Sequence, residues 1–355
     1  MAGLSLTEAA YAAFSPTKLT LTRTVGEAAD LAVTFAQVDG TEITTFNVEF
    51  FGLTAAIDLS NVMRYLFTDS LVEVGSNSIC KIYYDYRLHR PFCVRLPGYA
   101  PGYYLYYTAV NAVLKPGVAS ITFAGNYNKI LTGFSKYYFW PGYTEKSVLS
   151  FLTNKGTEVF VQLSSSFTAV ARVLNPGTPA YAQVITMNMN GESLWEADPL
   201  QGIDIMDTAT ENTLDYKEVV YKCIPENPCF MRWVNAMGGW DHWMFSGKQE
   251  QALEASEQVV FQSRVDDNAN TAGNYHTIAG KRIDLIKVGS QGVSTADLKV
   301  LVHIAVSPLI QMYDSDNSIW VTVLNAGSKP TWDSNEPLHT VEFQFKLPVI
   351  NVQTL

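Results

Sequence analysis

The chain has 355 residues, of which 47% are hydrophobic, 12% aromatic and only 16% charged, with a formal net charge of −10. That length points to about two or three domains with cores large enough to need no covalent staples. The acidic balance, with Lys281-Arg282 as the densest basic pair, speaks against a direct grip on nucleic acid, which takes a clustered basic surface, and no apolar run reaches the length of a membrane span.

Residues 17–54 alternate with a period of two: Leu19 and Leu21, then Leu31, Val33 and Phe35, then Phe46, Val48 and Phe50, with Asp39-Gly40 as a hairpin turn. Leu59, Val62, Met63, Leu66 and Phe67 instead fall on one face of a helix at about 58–68, which Asp58 or Ser60 can cap. Strands rich in Tyr follow over 79–96. Pro97 to Tyr107, with Tyr99, Tyr103, Tyr104, Tyr106 and Tyr107, reads as a loop or strand entry. A meander over 108–141 turns at Lys115-Pro116-Gly117 and Gly125-Asn126. Thr144 then opens an expected helix at about 145–154, with Val148, Leu149 and Leu152 on one face and Gly156 ending it. Residues 157–190 return to strands around an Asn175–Pro179 turn, and the polar 191–215 reads as a surface excursion near a domain boundary. Late in the chain, Ser294 and Asp297 resemble a capping box for a helix at about 295–306 carrying Leu298, Leu301, Val302 and Ala305, stopped by Ser307-Pro308. Strands at 309–313, 319–324 and 338–347 close the chain.

The most informative stretch is 229–245, Cys-Phe-Met-Arg-Trp-Val-Asn-Ala-Met-Gly-Gly-Trp-Asp-His-Trp-Met-Phe. It places Trp233, Trp240 and Trp243, three of the seven tryptophans, around a Gly238-Gly239 pair. The pattern predicts two short strands and a primed hairpin turn whose rings cluster on a sheet. Arg232, Trp233, Val234, Asn235, Gly238, Gly239, Trp240, Asp241, Trp243 and Phe245 resemble a segment found in uncharacterised phage and prophage structural proteins of Bacteroides-type bacteria. Ile57–Arg64 and Leu298–Val323 are similar to two further segments of those proteins. The three stretches cover roughly a fifth of the chain. The resemblance implies a tail or baseplate part and brings no catalytic residues with it.

Chemistry is sparse. None of His89, His242, His276, His303 and His339 lies at metal-pair spacing from another. His242 follows Asp241 and could be oriented for acid–base work; the plainer expectation is a polar residue facing solvent. Asp314-Ser-Asp316-Asn317 and Asp266-Asp267-Asn268-Ala-Asn270 faintly resemble calcium loops but lack the remaining ligands, and read as polar turns. No nucleophile elbow or phosphate-binding glycine loop occurs. Cys80, Cys93, Cys223 and Cys229 match neither zinc nor redox spacing and are expected to be reduced thiols, with a Cys223–Cys229 bridge as the alternative.

The expectation is a mainly β protein of β-sandwich or barrel-like domains with about three short helices. The segments are 1–110 with a short helix, 111–215, and 216–355 with the tryptophan hairpin and late helix. Trp233, Trp240, Trp243, Phe245, Tyr103, Tyr104 and Tyr106 are the packing or interface candidates. No catalytic residue, metal or cofactor is assigned. The expected role is a structural virion subunit, tail or baseplate-like, partnered by copies of itself in a ring and by other virion proteins. Without a signal peptide at Met1–Glu8 it is expected to be made in the host cytoplasm and to end in the virion. The alternative is a carbohydrate-binding or adhesion module on the particle surface, with the Tyr99–Tyr107 run and Trp240/Trp243 as the stacking platform.

Overall fold

The computed structural model describes residues 3–4, 10–13, 18–22, 30–38, 40–76, 80–95, 104–111, 129–140, 142–143, 146–153, 159–165, 169–174, 183–189, 200–210, 212–248, 254–263, 274–283, 285–328, 337–348 and 350–352. They are mainly strands, as the alternation predicts. The chain divides into two compact units: Met1–Cys223 with Val234–Asp241, and Ile224–Trp233 with His242–Leu355. The expected break near residue 110 falls inside a sheet, because strand Cys80–Asp85 pairs antiparallel with Gln183–Met189. The segment 216–355, expected as a C-terminal β-domain, is likewise interrupted, since 216–223 and the hairpin segment 234–241 count with the first unit.

The first unit holds two cores. One gathers Leu19, Leu21, Val33, Phe35, Val48, Phe92 and Val94 with Val62 and Met63 of a short helix and Leu59 and Leu66 that flank it. Its five-stranded sheet runs in the order Ala10–Ala12, Tyr104–Val110, His89–Arg95, Asp30–Gln37, Glu42–Glu49. Helix Ser60–Arg64 is shorter than predicted but buries the predicted face. Asp58 Oδ1 accepts from Ser60 N at 2.9 Å and from Ser60 Oγ at 2.7 Å at its start.

The other core is a sandwich. One sheet runs Lys129–Ile130, Val148–Thr153, Gln183–Met189, Cys80–Asp85, Leu71–Ser76; the other runs Tyr137–Phe139, Thr213–Tyr221, Leu200–Asp207, Val159–Ser165, Ala169–Leu174. Ile82, Leu149, Phe151, Ile185 and Met187 from the first pack with Tyr137, Phe139, Val161, Ile203 and Ile205 from the second. Two expectations are corrected here. Val148–Thr153 is a strand, not the helix expected at 145–154, and all six of its residues are buried. A run covered on both faces carries no period from which strand and helix can be told apart. Leu200–Asp207 is a sheet strand, not a surface excursion: Ile203 and Ile205 are buried on either side of Asp204, which is a strand's alternation.

The second unit is built on a closed barrel of six strands: Pro228–Val234, Trp240–Lys248, Leu285–Ser294, Leu338–Lys346, Ile319–Asn325 and Ile310–Asp314. Register fixes its lining. Trp233 lies opposite Ile310, Ile310 opposite Val323, Val288 opposite Phe343 and Ile286 opposite Phe345, so these side chains share one face. Phe245 joins them, its ring 5.7 Å from that of Phe343. A three-stranded sheet, Glu254–Ser263, Asn274–Ile283 and Ile350–Val352, completes the unit. The late helix Thr295–Leu301 is capped as predicted: Ser294 Oγ accepts from Asp297 N at 3.1 Å and donates to Asp297 Oδ2 at 2.8 Å. A 3₁₀ turn, Val302–Val306, follows, and Ser307 is extended ahead of Pro308. These two are the α-helices among the described residues, and neither is long and apolar enough to cross a membrane.

Candidate functional site

The tryptophan block folds as the predicted hairpin, and Asn235 organises its turn. The Asn235 carbonyl accepts from Gly238 N at 3.0 Å and its N–H donates to Gly239 O at 2.8 Å. Its side-chain Oδ1 accepts from Met237 N at 2.9 Å and from Gly239 N at 3.1 Å. The loop is therefore longer than the expected two-residue primed turn, because the Asn235 side chain satisfies amides that a tighter turn would pair across the strands. Gly238 takes φ 82°, a region where an L side chain is strained. Gly239 is needed for a different reason. A Cβ there would overlap the Leu131 carbonyl oxygen and lie 2.5 Å from the Leu131 Cβ, while Asn235 Nδ2 donates to that same oxygen at 2.9 Å.

The segment 131–134 is thus the seat of the hairpin tip, and both belong to the first unit. Asp241 extends the seat. Its Oδ1 accepts from Thr132 Oγ1 at 2.6 Å, and both carboxylate oxygens lie 3.2 Å from Gly133 N. Trp240 N donates to Ser150 Oγ at 3.2 Å. Burial drives the Asp241 carboxyl up to about 6, against the opposing pull of hydrogen bonds from Thr132, Asn235 and Gly133 and of the Lys217 charge. Lys217 itself donates to Phe134 O at 3.0 Å.

A second buried carboxylate holds the Trp240 ring. Asp85 is fully buried and accepts from Trp240 Nε1 at 2.9 Å and from Arg87 Nε and Nη2, each at 2.8 Å. The Arg87 guanidinium also lies over the Trp240 ring, 5.3 Å from its centroid. Burial alone would raise the Asp85 carboxyl, but the Arg87 and Trp240 hydrogen bonds and the Arg87 charge outweigh it and leave it below the ordinary value. Beside it, His89 donates from Nδ1 to the Asp85 carbonyl at 3.1 Å. Burial holds this imidazole down at about 4, so it is neutral at physiological pH.

The sequence candidates divide as follows. Trp233, Trp240, Trp243 and Phe245 are each at most 2% exposed. They pack inside the chain, and neither Trp240 nor Trp243 offers a ring face for a sugar. Trp243 Nε1 donates to Ser290 Oγ at 3.3 Å. Tyr103 lies outside the described residues. Tyr104 and Tyr106 sit on strand Tyr104–Val110, opposite Arg95 and Cys93. His242 is buried rather than solvent-facing, its ring 5.5 Å from that of Phe230, because the barrel's outer face is covered at this point. There Arg232 donates from Nε to Gln311 Oε1 at 2.9 Å and lies 3.9 Å over the Trp320 ring, which also meets Phe230 and Tyr313.

Asp314 closes a polar turn, accepting from Asp316 N, Asn317 N and Asn317 Nδ2; the Asp266–Asn270 stretch lies outside the described residues. Among the described residues no three His, Cys, Asp or Glu side chains are placed to hold a metal ion. All four cysteines are free thiols, and burial pushes Cys229 up to about 12. Sequence reasoning missed Thr132, Asp85, Arg87, Ser150 and Lys217. No local signal marks them, since Thr132 and Asp85 lie 109 and 155 positions from the hairpin residues they bind. Chemically, the cluster holds the fold: Asn235 and Asp241 fix the hairpin tip and the 131–134 segment, and Asp85 with Arg87 fixes the Trp240 ring. No known protein family matches the chain, and no curated protein matches it.

Proposed function

We propose that the chain is a non-enzymatic structural subunit of a phage virion, a tail or baseplate component that assembles in a ring with copies of itself. The observation that carries this reading is the use of the hairpin motif. Arg232, Asn235, Gly239, Trp240 and Asp241 all bind or pack against other parts of the same chain and are buried, so the motif that resembles a segment of phage structural proteins is read as serving architecture. An active site leaves some convergent polar groups open to a substrate. The rings of the motif serve packing within the fold, so contacts between copies fall to other surface. Phe51, Tyr65 and Val306, each at least 80% exposed, are among the apolar side chains of the described residues available for it. Virion partners and a virion location follow from the same reading.

The test is to image the purified protein and the particles by electron microscopy, with mass measurement in solution. Rings of defined copy number and presence of the chain in purified virions are expected. A strictly monomeric chain that is absent from particles overturns the proposal.

A further inference from the structure

Asp85 and Asp241 are equally buried, at 0% and 1% exposure, yet only one meets a cation directly. Asp85 is clamped by the Arg87 guanidinium through both oxygens. Asp241 meets the Thr132 hydroxyl, the Gly133 amide and the Asn235 side chain, all neutral, and among the described residues it forms no ion pair. A carboxylate removed from water and matched only by neutral donors bears a desolvation cost that its protonated form escapes.

The groups around it do not cancel that cost. Lys217, from strand Thr213–Tyr221, is the cation that acts on it, but its ammonium is engaged by Phe134 O. Asp215 and Lys129 in turn pull the Lys217 charge in opposite directions. Tyr137, from strand Tyr137–Phe139, is a buried phenol kept protonated well above its ordinary range. On the Trp240 side, Asp85 and Arg87 neutralise each other and His89 is neutral. The ring of the following residue, His242, lies 5.5 Å from that of Phe230.

We propose that this seat is a proton-operated latch: Asp241 exchanges a proton with solvent, and its neutral form holds the hairpin tip on the 131–134 segment more firmly than its ionised form. The hydrogen bond to Thr132 survives either way. Thr132 donates to the carboxylate, and the carboxylic acid donates to Thr132 Oγ1, which also accepts from Phe134 N at 3.2 Å. The sign follows from the raised value of about 6 against about 3.9 in an open chain. The extra hold is complete below about pH 4 and is lost as pH rises through about 6. The latch is a property of the folded chain and holds whether or not copies assemble.

The test uses the full chain and two local readouts. Amide exchange at Gly133 and Gly239 reports opening of the seat, which is expected to increase about tenfold between pH 5 and pH 7.5 after correction for intrinsic exchange. Asp241→Asn is expected to abolish that dependence. Direct ¹³C titration of the Asp241 carboxyl in the wild-type chain stands independently of whether the variant folds; a midpoint near 6 is expected. A midpoint below 5, or seat opening that is level with pH, or a pH dependence that persists in the variant, overturns the latch.

Discussion

At the level of single residues the hairpin tip separates two uses of glycine that look identical in the sequence. Gly238 supplies a positive φ, so a methyl group there costs backbone strain, about 1 kcal/mol. Gly239 supplies space: its Cβ would occupy the position of the Leu131 carbonyl oxygen, a backbone atom that cannot rotate away. Gly239→Ala is expected to destabilise the protein by about 3 kcal/mol, at the upper end of overpacking costs, and Gly238→Ala by distinctly less. Denaturant midpoints at constant slope measure both; the reverse ranking would refute the close-approach argument. Trp240 adds a polar role to its bulk. Trp240→Phe keeps most of the ring and removes the donor to the buried Asp85. The expected cost is about 2 kcal/mol, typical of a hydrogen bond to a charged group, and equilibrium unfolding of the variant checks it.

Among the elements, legibility followed the exposure of one face. The late helix was readable because one stripe is buried and the other wet, and because its cap lies within three residues: Ser294 and Asp297 bond to each other. Removing that acceptor with Ser294→Ala is expected to cost about 1 kcal/mol. Ser294→Thr, which keeps a hydroxyl that both accepts from Asp297 N and donates to its carboxylate, recovers most of it, and a cap without this role would show equal stabilities in thermal unfolding. The strands Ile310–Asp314, Ile319–Asn325 and Leu338–Lys346 were readable for the same reason: in the last of these, buried His339, Val341, Phe343 and Phe345 alternate with outward residues. Val148–Thr153 was not readable, since it lies between two neighbouring strands with both faces covered. The hairpin itself was legible as strand, turn, strand, and its aromatic residues as packing. Its seat was not, because the hydrogen bonds that hold it join residues 90 to 155 positions apart, and a single sequence carries no trace of which distant Thr or Asp will meet them.

Across the molecule, His89 and Asp241 set opposing slopes in the same pH window. His89 is held at about 4 against about 6.5 when unfolded. Between those values the unfolded chain gains a proton that the folded chain refuses, so stability is lost as pH falls from about 6.5 to about 4. Asp241, raised to about 6, does the reverse: the folded chain binds a proton that the unfolded chain takes only near 3.9, so stability is gained as pH falls through about 6. Each shift of about two units amounts to about 3 kcal/mol, and the two nearly offset. Asp85, lowered below its ordinary value, loses its contribution only at more acid pH and leaves this window untouched. The wild-type unfolding free energy is therefore expected to be close to level between pH 6.5 and pH 4.5 as far as these groups decide it. Asp241→Asn removes the gain and exposes the histidine loss, so its stability should fall by about 2 to 3 kcal/mol over that range relative to wild type. His89→Gln should show the opposite slope, and the double variant should return to level. Urea unfolding of the four proteins at three pH values reads this cycle directly. An Asp241→Asn profile parallel to that of wild type would mean that the buried carboxyl does not titrate there, and the compensation would be lost with it.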